Sequence, residues 1–355
     1  MFAIGYNNSD LHYSTNSHCE KPERVSYTVS KLLKVYDQSH FITVPNPNAT
    51  RCQELIGLAH SQEHLRLLTK PEFNVWMCRK CKKPMYSEIK STFDEFVQLQ
   101  KKCYFCEVEL TTSNIYTHID FDTYFTCNTP QIIFEGIAVL DQMIQQIISK
   151  QIMYGVALIR PPGHHCCNKA SGFCICNNAV VATRAAQDTG LNKVLILDID
   201  FHHGDGTQKL ISDEELLYRQ IKNTRMISIH GFGPGIYPGT GSEEESTENV
   251  LNIPVHITRE PESRLYADDE YYQGIIINKV KPYIEEFNPD LFIVSLGVDA
   301  HCKDSLEGLN ITDETYVMIV EMLQSYNKPI IFILEGGYNV KIIHSVVSKI
   351  IKVFE

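Results

Sequence analysis

Apolar and polar positions along the chain fall into two alternating textures. Tyr154–Ile159, Val194–Leu197, Met226–Ile229, Leu291–Leu296 and Pro329–Leu334 are short, nearly unbroken apolar runs. Runs of that length are the mark of strands buried on both faces. Between them, apolar residues recur at helical spacing. Thr129-Pro130 reads as an N-cap followed by a first-turn proline, and Ile133, Ile137, Leu140, Ile144 and Ile147 then share one face. Asn177–Asp188, Glu270–Phe287, Asp313–Tyr326 and Lys341–Phe354 also read as helices. Strands alternating with helices predict an α/β fold: a central parallel sheet flanked by helices on both faces. The 355 residues suit one domain spanning 1–355. Two stretches break the pattern. Residues 72–109 carry the only Trp, four Cys and many Lys, and read as an insertion. Gly231–Asn249, with five Gly and two Pro, reads as a long loop of the kind that often carries function.

The polar residues gather where the apolar runs end. The first strand runs into Arg160-Pro-Pro-Gly-His164-His165 and the second into Asp198-Ile-Asp200-Phe-His202-His203-Gly-Asp205. The others run into His230, into Gly297-Val-Asp299-Ala-His301, and into Glu335-Gly-Gly-Tyr338-Asn339. Open parallel sheets bind ligands at that carboxyl edge. Buried charge at such density needs a partner. Asp200 and His202 are two residues apart and point the same way on an extended strand end, and Asp299 is the best third ligand. Two carboxylates and one imidazole leave a position open for water, the arrangement of a catalytic zinc site. Zinc brings the pKa of bound water from about 15.7 to about 7. His164 and His165 read as proton carriers, with Asp198 and Asp205 as the acids left to orient them. Tyr338, beside two glycines, is placed to bring a hydroxyl to a substrate carbonyl. Together these groups describe amide hydrolysis.

Cys78-x-x-Cys81 and Cys103-x-x-Cys106 in the insertion have the spacing of a structural zinc site. Such a knuckle serves either to recognise a substrate or partner, or to fold a small element that lacks a core. Cys166, Cys167, Cys174 and Cys176 read as buried thiols, His230 and His301 as satisfied polar residues, and Glu243–Glu245 as a solvated run. A net charge of −11 argues against direct nucleic-acid binding. No apolar run reaches membrane-spanning length and the first residues do not read as a secretory signal, so a cytoplasmic or nuclear location is expected.

The segments RPPGHHC, SGFCICNN, DIDFHHGDGT, GIYPGTG, SLGVDAH and EGGYN, in this order, resemble the signature series of the zinc-dependent histone deacetylases of the arginase/deacetylase superfamily. The similarity runs from CEKPERV near Cys19 to Tyr338 apart from the insertion, and RPPGHH and GVDAH are closer to class II forms. The resemblance implies zinc on Asp200, His202 and Asp299, with His165 as general base and acid backed by Asp205. It implies electrostatic assistance from His164 with Asp198, and donation by Tyr338 to the carbonyl oxygen. Phe173 and Tyr237 would wall a tunnel in which Gly172 accepts a hydrogen bond. Asp122 matches the rim acid that holds the substrate backbone, and Arg24 a residue near the acetate exit. Main-chain oxygens of Asp198, Asp200 and His202, with Ser228, match a monovalent cation site suited to potassium. The implied substrate is acetyl-lysine in a histone or another protein. The polyamine-specific branch has Glu seven residues after the third ligand, where this chain has Leu306 and then Glu307. Leu306 favours protein substrates, and a one-residue shift of the loop would favour acetylpolyamines. A single Asp at the later strand predicts one catalytic metal rather than two. A catalytically silent acyl-lysine reader is the remaining alternative, and oligomeric state is not legible.

Overall fold

In the computed structural model, which describes residues 1–13, 18–212, 223–258 and 260–355, all five expected strands form side by side. In chain order the strands are β1 (Phe2–Tyr6), β2 (Phe41–Ile42), β3 (Phe73–Cys78), β4 (Pro84–Ser91), β5 (Ile115–His118) and β6 (Tyr124–Phe125). They continue as β7 (Tyr154–Leu158), β8 (Val194–Asp198), β9 (Thr224–Phe232), β10 (Val250–His256), β11 (Leu291–Leu296) and β12 (Ile330–Leu334). The helices used below are α1 (Glu23–Leu32), α2 (Ala49–Ala59), α3 (Gln62–Thr69), α4 (Phe93–Gln100), α5 (Thr129–Ile148), α6 (Asn178–Asp188) and α7 (Asp205–Ser212). Then come α8 (Asp269–Ile275), α9 (Lys281–Phe287), α10 (Asp313–Gln324) and α11 (Val340–Phe354).

Among the described residues, eight strands form one parallel sheet in the order β10-β9-β8-β11-β12-β7-β1-β2. Strand side chains alternate between two cores. Val194 and Ile196 join α2, α5 and α6 on one face, while Leu195 and Leu197 join α1, α8, α9, α10 and α11 on the other. Burial on both faces is why these segments read as continuous apolar runs.

Three strands of the main sheet escaped the sequence pattern. β1 is short and contains Gly5, where a Cβ would collide with Val139 and Met143 of α5. β2 has two residues. β10 contains Pro254, which argues against a strand; it is tolerated because β10 lies at the sheet edge and needs one row of hydrogen bonds only. Helix α5 starts at Thr129 itself with Asn128 in the cap position, because the Thr129 hydroxyl already accepts from the Thr126 NH at 2.8 Å. The expected helix over Glu270–Phe287 is α8 and α9 joined by a π-helical stretch, Ile276–Val280.

Residues 72–109, expected to be an insertion, build an antiparallel hairpin, β3–β4, followed by α4, which opens with a Thr92/Glu95 capping box. Buried Trp76 lies edge-on to Phe93 at 4.7 Å and stacks on Phe96 at 4.9 Å. β3 also pairs with β5, and β5 with β6. The four-stranded sheet β4-β3-β5-β6 therefore runs past residue 109 and leads into the loop carrying Asp120, Phe121 and Asp122.

Candidate active site and metal centres

Four strands of the main sheet deliver the candidate ligands and proton carriers to one place. β8 ends at Asp198, and the turn after it carries Asp200 and His202. Asp299 follows β11, Glu335 follows β12, and His164-His165 follow β7. His202 Nδ1 is 3.1 Å from Asp200 Oδ1 and 3.0 Å from Asp299 Oδ2. Asp299 Oδ2 is buried yet accepts no hydrogen bond among the described residues. Its partner Oδ1 takes the Phe201 NH at 2.9 Å, and Asp200 Oδ2 takes the Gly336 NH at 2.7 Å. A side chain at Gly297 would strike Asp200, and one at Gly336 would strike both Asp200 and Asp299. The three ligand atoms thus meet in a glycine-lined hollow with one buried oxygen unsatisfied, which fits a small cation with nitrogen and carboxylate ligands. Burial and the charge of Asp200 push Asp299 up to about 7.

The two adjacent histidines are oriented by different acids. His164 Nδ1 lies 3.1 Å from Asp198 Oδ2, and His165 Nδ1 lies 2.9 Å from Asp205 Oδ1. Each pairing leaves Nε2 for the site. Asp205 opens α7, and Lys209, one turn on, holds its second oxygen at 2.7 Å. Burial, with His164 next to it, pushes His165 down to about 3 against the pull of Asp205. Burial also acts to lower His164, but Asp200 and Asp198 outweigh it and bring it to about 10. The two rings, 4.0 Å apart, therefore favour opposite protonation states.

Aromatic rings frame the approach. Tyr237 lies 4.9 Å from His165 and 6.2 Å from His202, with its hydroxyl 2.6 Å from Ser171 Oγ. Phe173 faces Tyr338 at 6.0 Å and His18 at 5.1 Å. Gly172, at φ +52°, sits against His165 and Tyr237 so closely that a side chain there would overlap both. Tyr338 is half-buried, with Arg24 5.0 Å from its ring centre, and burial holds its hydroxyl well above the usual range. Half-buried Asp122 lies in the loop between β5 and β6, and His18 Nε2 is 3.2 Å from its carbonyl oxygen. Ser228 is in register with Asp198 across β8 and β9, and its hydroxyl meets His230 at 2.9 Å. Leu306 points outward, 46% exposed. The residue after it, Glu307, reaches the site: Oε1 is 3.8 Å from His202 Nε2, and Arg264 fixes Oε2 at 2.9 Å.

Glu335, Arg160 and Arg24 were named from sequence, but not the supporting contacts that they make. Glu335 accepts the NH of Gly163 at 2.6 Å and of His164 at 3.1 Å, fixing the turn that carries the histidines. Its position at a strand end was the available signal. Glu20 pairs with Arg160 and Arg24 in full burial, and Arg24 donates to the carbonyls of Glu335 and Gly337 just before Tyr338. Nothing in the spacing of Glu20, Arg24 and Arg160 announces that network.

Around the β3–β4 hairpin and α4, Cys78 Sγ is 3.8 Å from Cys106 Sγ, and Cys81 Sγ is 3.6 Å from Cys103 Sγ. Four sulfurs about 2.3 Å from one zinc stand roughly 3.8 Å apart in a tetrahedron, so the set fits that metal. Burial acts to raise the Cys103 thiol, but the NH groups of Phe105 and Cys106 outweigh it and bring it to about 7. Cys166, Cys174 and Cys176 are buried, Cys167 is partly so, and all twelve cysteines are unpaired. His230 is satisfied by Ser228 and the Gly241 carbonyl, and His301 lies 3.3 Å from Asp313.

Comparisons with known proteins agree with this architecture. The histone deacetylase domain family matches residues 18–354. Histone deacetylase 15 of Arabidopsis thaliana is 34% identical over 69% of this chain, a match covering 44% of the plant protein. The chain thus spans under half the length of that relative. A probable deacetylase of Archaeoglobus fulgidus is 31% identical over 93% of this chain and 79% of its own. The crystal structure of the HDA15 HD domain superposes with a TM-score of 0.74 at 26% identity, covering 99% of this chain and 90% of that one. The chain belongs to the histone deacetylase family of the arginase/deacetylase superfamily.

Proposed function

We propose that the chain hydrolyses the amide of acetyl-lysine in proteins, with one zinc ion held by Asp200, His202 and Asp299. The observation that carries this reading is the convergence of those ligand atoms, with Asp299 Oδ2 unsatisfied, beside two histidines that each have their own acid. When bound, zinc would polarise the acetyl carbonyl and acidify water. His165, held by Asp205, takes the proton of the attacking water at Nε2 and returns it to the departing lysine amine. Tyr338 donates its hydroxyl to the carbonyl oxygen as charge develops there. His164, held by Asp198, assists electrostatically. Phe173 and Tyr237 wall the lysine stem, the Gly172 carbonyl accepts from it, and Asp122 holds the substrate backbone at the rim.

A second zinc on Cys78, Cys81, Cys103 and Cys106 would fold the inserted element, and a potassium ion would suit the main-chain oxygens around Asp198, Asp200 and His202 with Ser228. Unpaired cysteines favour a cytoplasmic or nuclear setting. Among the described residues, no helix is long and apolar enough to cross a membrane. The rival acetylpolyamine substrate would use a free carboxylate near the mouth. Glu307 comes close, but Arg264 neutralises it, which favours a neutral acyl-lysine. The proton-handling histidines argue against a silent reader.

The test is a panel of acetyl-lysine peptides, longer acyl peptides and acetylspermidine, assayed with chelator and with zinc restored. The expected result is faster turnover of acetyl-lysine peptide, lost with chelator and recovered with zinc. The opposite ranking assigns the polyamine function. Peptide binding without hydrolysis by zinc-loaded protein assigns a reader.

A further inference from the structure

A groove with a cavity of about 720 Å³ opens between α3, the inserted hairpin β3–β4 and the loops leading to the tunnel walls. Arg66, Lys70, Lys90 and Lys169 line it, against Glu63 and Glu72. Glu72 is already engaged by Lys70 at 3.3 Å. All four cations are exposed, and Arg66, Lys90 and Lys169 pair with no acid among the described residues. In a chain with 43 acids and 32 bases, this concentration of positive charge runs against the composition. The insertion supplies one wall, through Glu72, Phe73, Asn74 and Lys90.

The groove lies next to the approach to the site. Ala170 lines it, and Phe173 is three residues farther along; Ile119 lines it, and Asp122 is three residues farther along. Three residues span at most about 11 Å. A substrate held extended at the rim covers roughly 3.3 Å per residue. Side chains about three to five positions from the acetyl-lysine therefore reach the groove.

We infer that this groove binds an acidic segment of the substrate protein, flanking the lysine, and that the insertion exists to build it. Charge complementarity selects the occupant: unpaired exposed cations around a concavity favour carboxylates. A nucleic acid is disfavoured, because its phosphates would meet the net negative charge of the rest of the chain. The inference rests on the lysine-deacylase reading only in taking the acidic segment to belong to the substrate.

The experiment uses the full chain loaded with zinc and three acetyl-lysine peptides: one with neutral flanks, one with three Asp at positions three to five before the lysine, and one with them after it. One acidic peptide is expected to exceed the neutral one in kcat/KM by about 5- to 30-fold, as three exposed ion pairs would give, with the gain in KM. In Lys90→Glu/Lys169→Glu the acidic-to-neutral ratio should fall to near one, as it should for the unaltered protein when salt is raised. Labelled versions of the same peptides, followed by fluorescence anisotropy, read the groove without hydrolysis. Preferential binding of an acidic peptide, lost in the double variant, supports the groove even if no peptide is cleaved, in which case the deacylase reading alone fails. Equal binding of all three peptides, or a preference that survives the double reversal, overturns it. So does a single-stranded oligonucleotide that displaces the acidic peptide more strongly than the unlabelled peptide does.

Discussion

Replacing Glu20 by Gln tests whether charge buried behind the site holds it in shape. The Glu20 side chain is 1% exposed and lies between two fully buried guanidinium groups. Arg24 Nη1 is 3.2 Å from Oε1, Arg160 Nη2 is 2.6 Å from Oε2, and Tyr124 donates to Oε2 at 3.0 Å. Glu20→Gln keeps the shape and removes the charge, so two buried cations lose their shared counter-charge. Removing one partner of a buried ion pair costs about 3–5 kcal/mol. Unfolding entropy near 60 °C is about 2.1 cal/mol/K per residue, so a chain of 355 residues carries roughly 0.75 kcal/mol/K. The midpoint of thermal unfolding should then fall by about 4–7 °C. The effect has a definite pH dependence. Burial alone would raise Glu20, but Arg160 and then Arg24 hold its carboxyl well below the usual carboxylate range. A carboxyl depressed on folding contributes stability that is complete above its unfolded value of about 4.3 and is lost as pH falls toward the folded value. The gap between wild type and Glu20→Gln should be full near neutral pH and shrink below about pH 4. Circular dichroism melts across that range make the measurement. A midpoint shift below about 1 °C at neutral pH, or a gap unchanged down to about pH 3, would refute the reasoning.

The site makes further predictions. His165→Ala should lower kcat on an acetyl-lysine peptide by about 10²- to 10⁴-fold while zinc content stays the same; near-normal kcat would remove His165 from proton transfer. Cys103→Ser should reduce zinc from about two ions per chain to about one by elemental analysis, and a count that does not change excludes the four-cysteine site. Glu307→Gln should weaken zinc binding by about 10- to 100-fold in competition with a chromogenic chelator, because it removes the carboxylate beside the second nitrogen of His202; unchanged affinity would leave Glu307 as a surface partner of Arg264 alone.

What the sequence disclosed, and what it did not, follows from how local each signal is. Strands buried on both faces write themselves as apolar runs, and the residues ending those runs lie at one sheet edge by topology alone. That made the Asp200, His202 and Asp299 cluster legible without coordinates, and the register of β8 against β11 then brings the three together. β10 stayed hidden because Pro254 is acceptable only at an edge, and edge position is a property of the whole sheet. The pairing of Glu20 with Arg24 and Arg160 was opaque for a similar reason: Glu20 and Arg160 are 140 residues apart, and no periodicity links them. Leu306 and Glu307 show the limit of counting along a loop. Spacing from Asp299 singled out Leu306, whereas the turn brings the neighbouring carboxylate to His202.

The pieces that ended the main sheet so inconspicuously also govern how the molecule meets its own kind. At one border, β10 lacks an amide hydrogen at Pro254; at the other, β2 offers two residues. Neither border is a serviceable template on which another chain's backbone could add a strand. A sheet this long and apolar, given a smooth border, would invite fibre growth during synthesis or after partial unfolding. Here the same irregularities that conceal two strands from a reader of the sequence deny a foothold to edge-to-edge polymerisation.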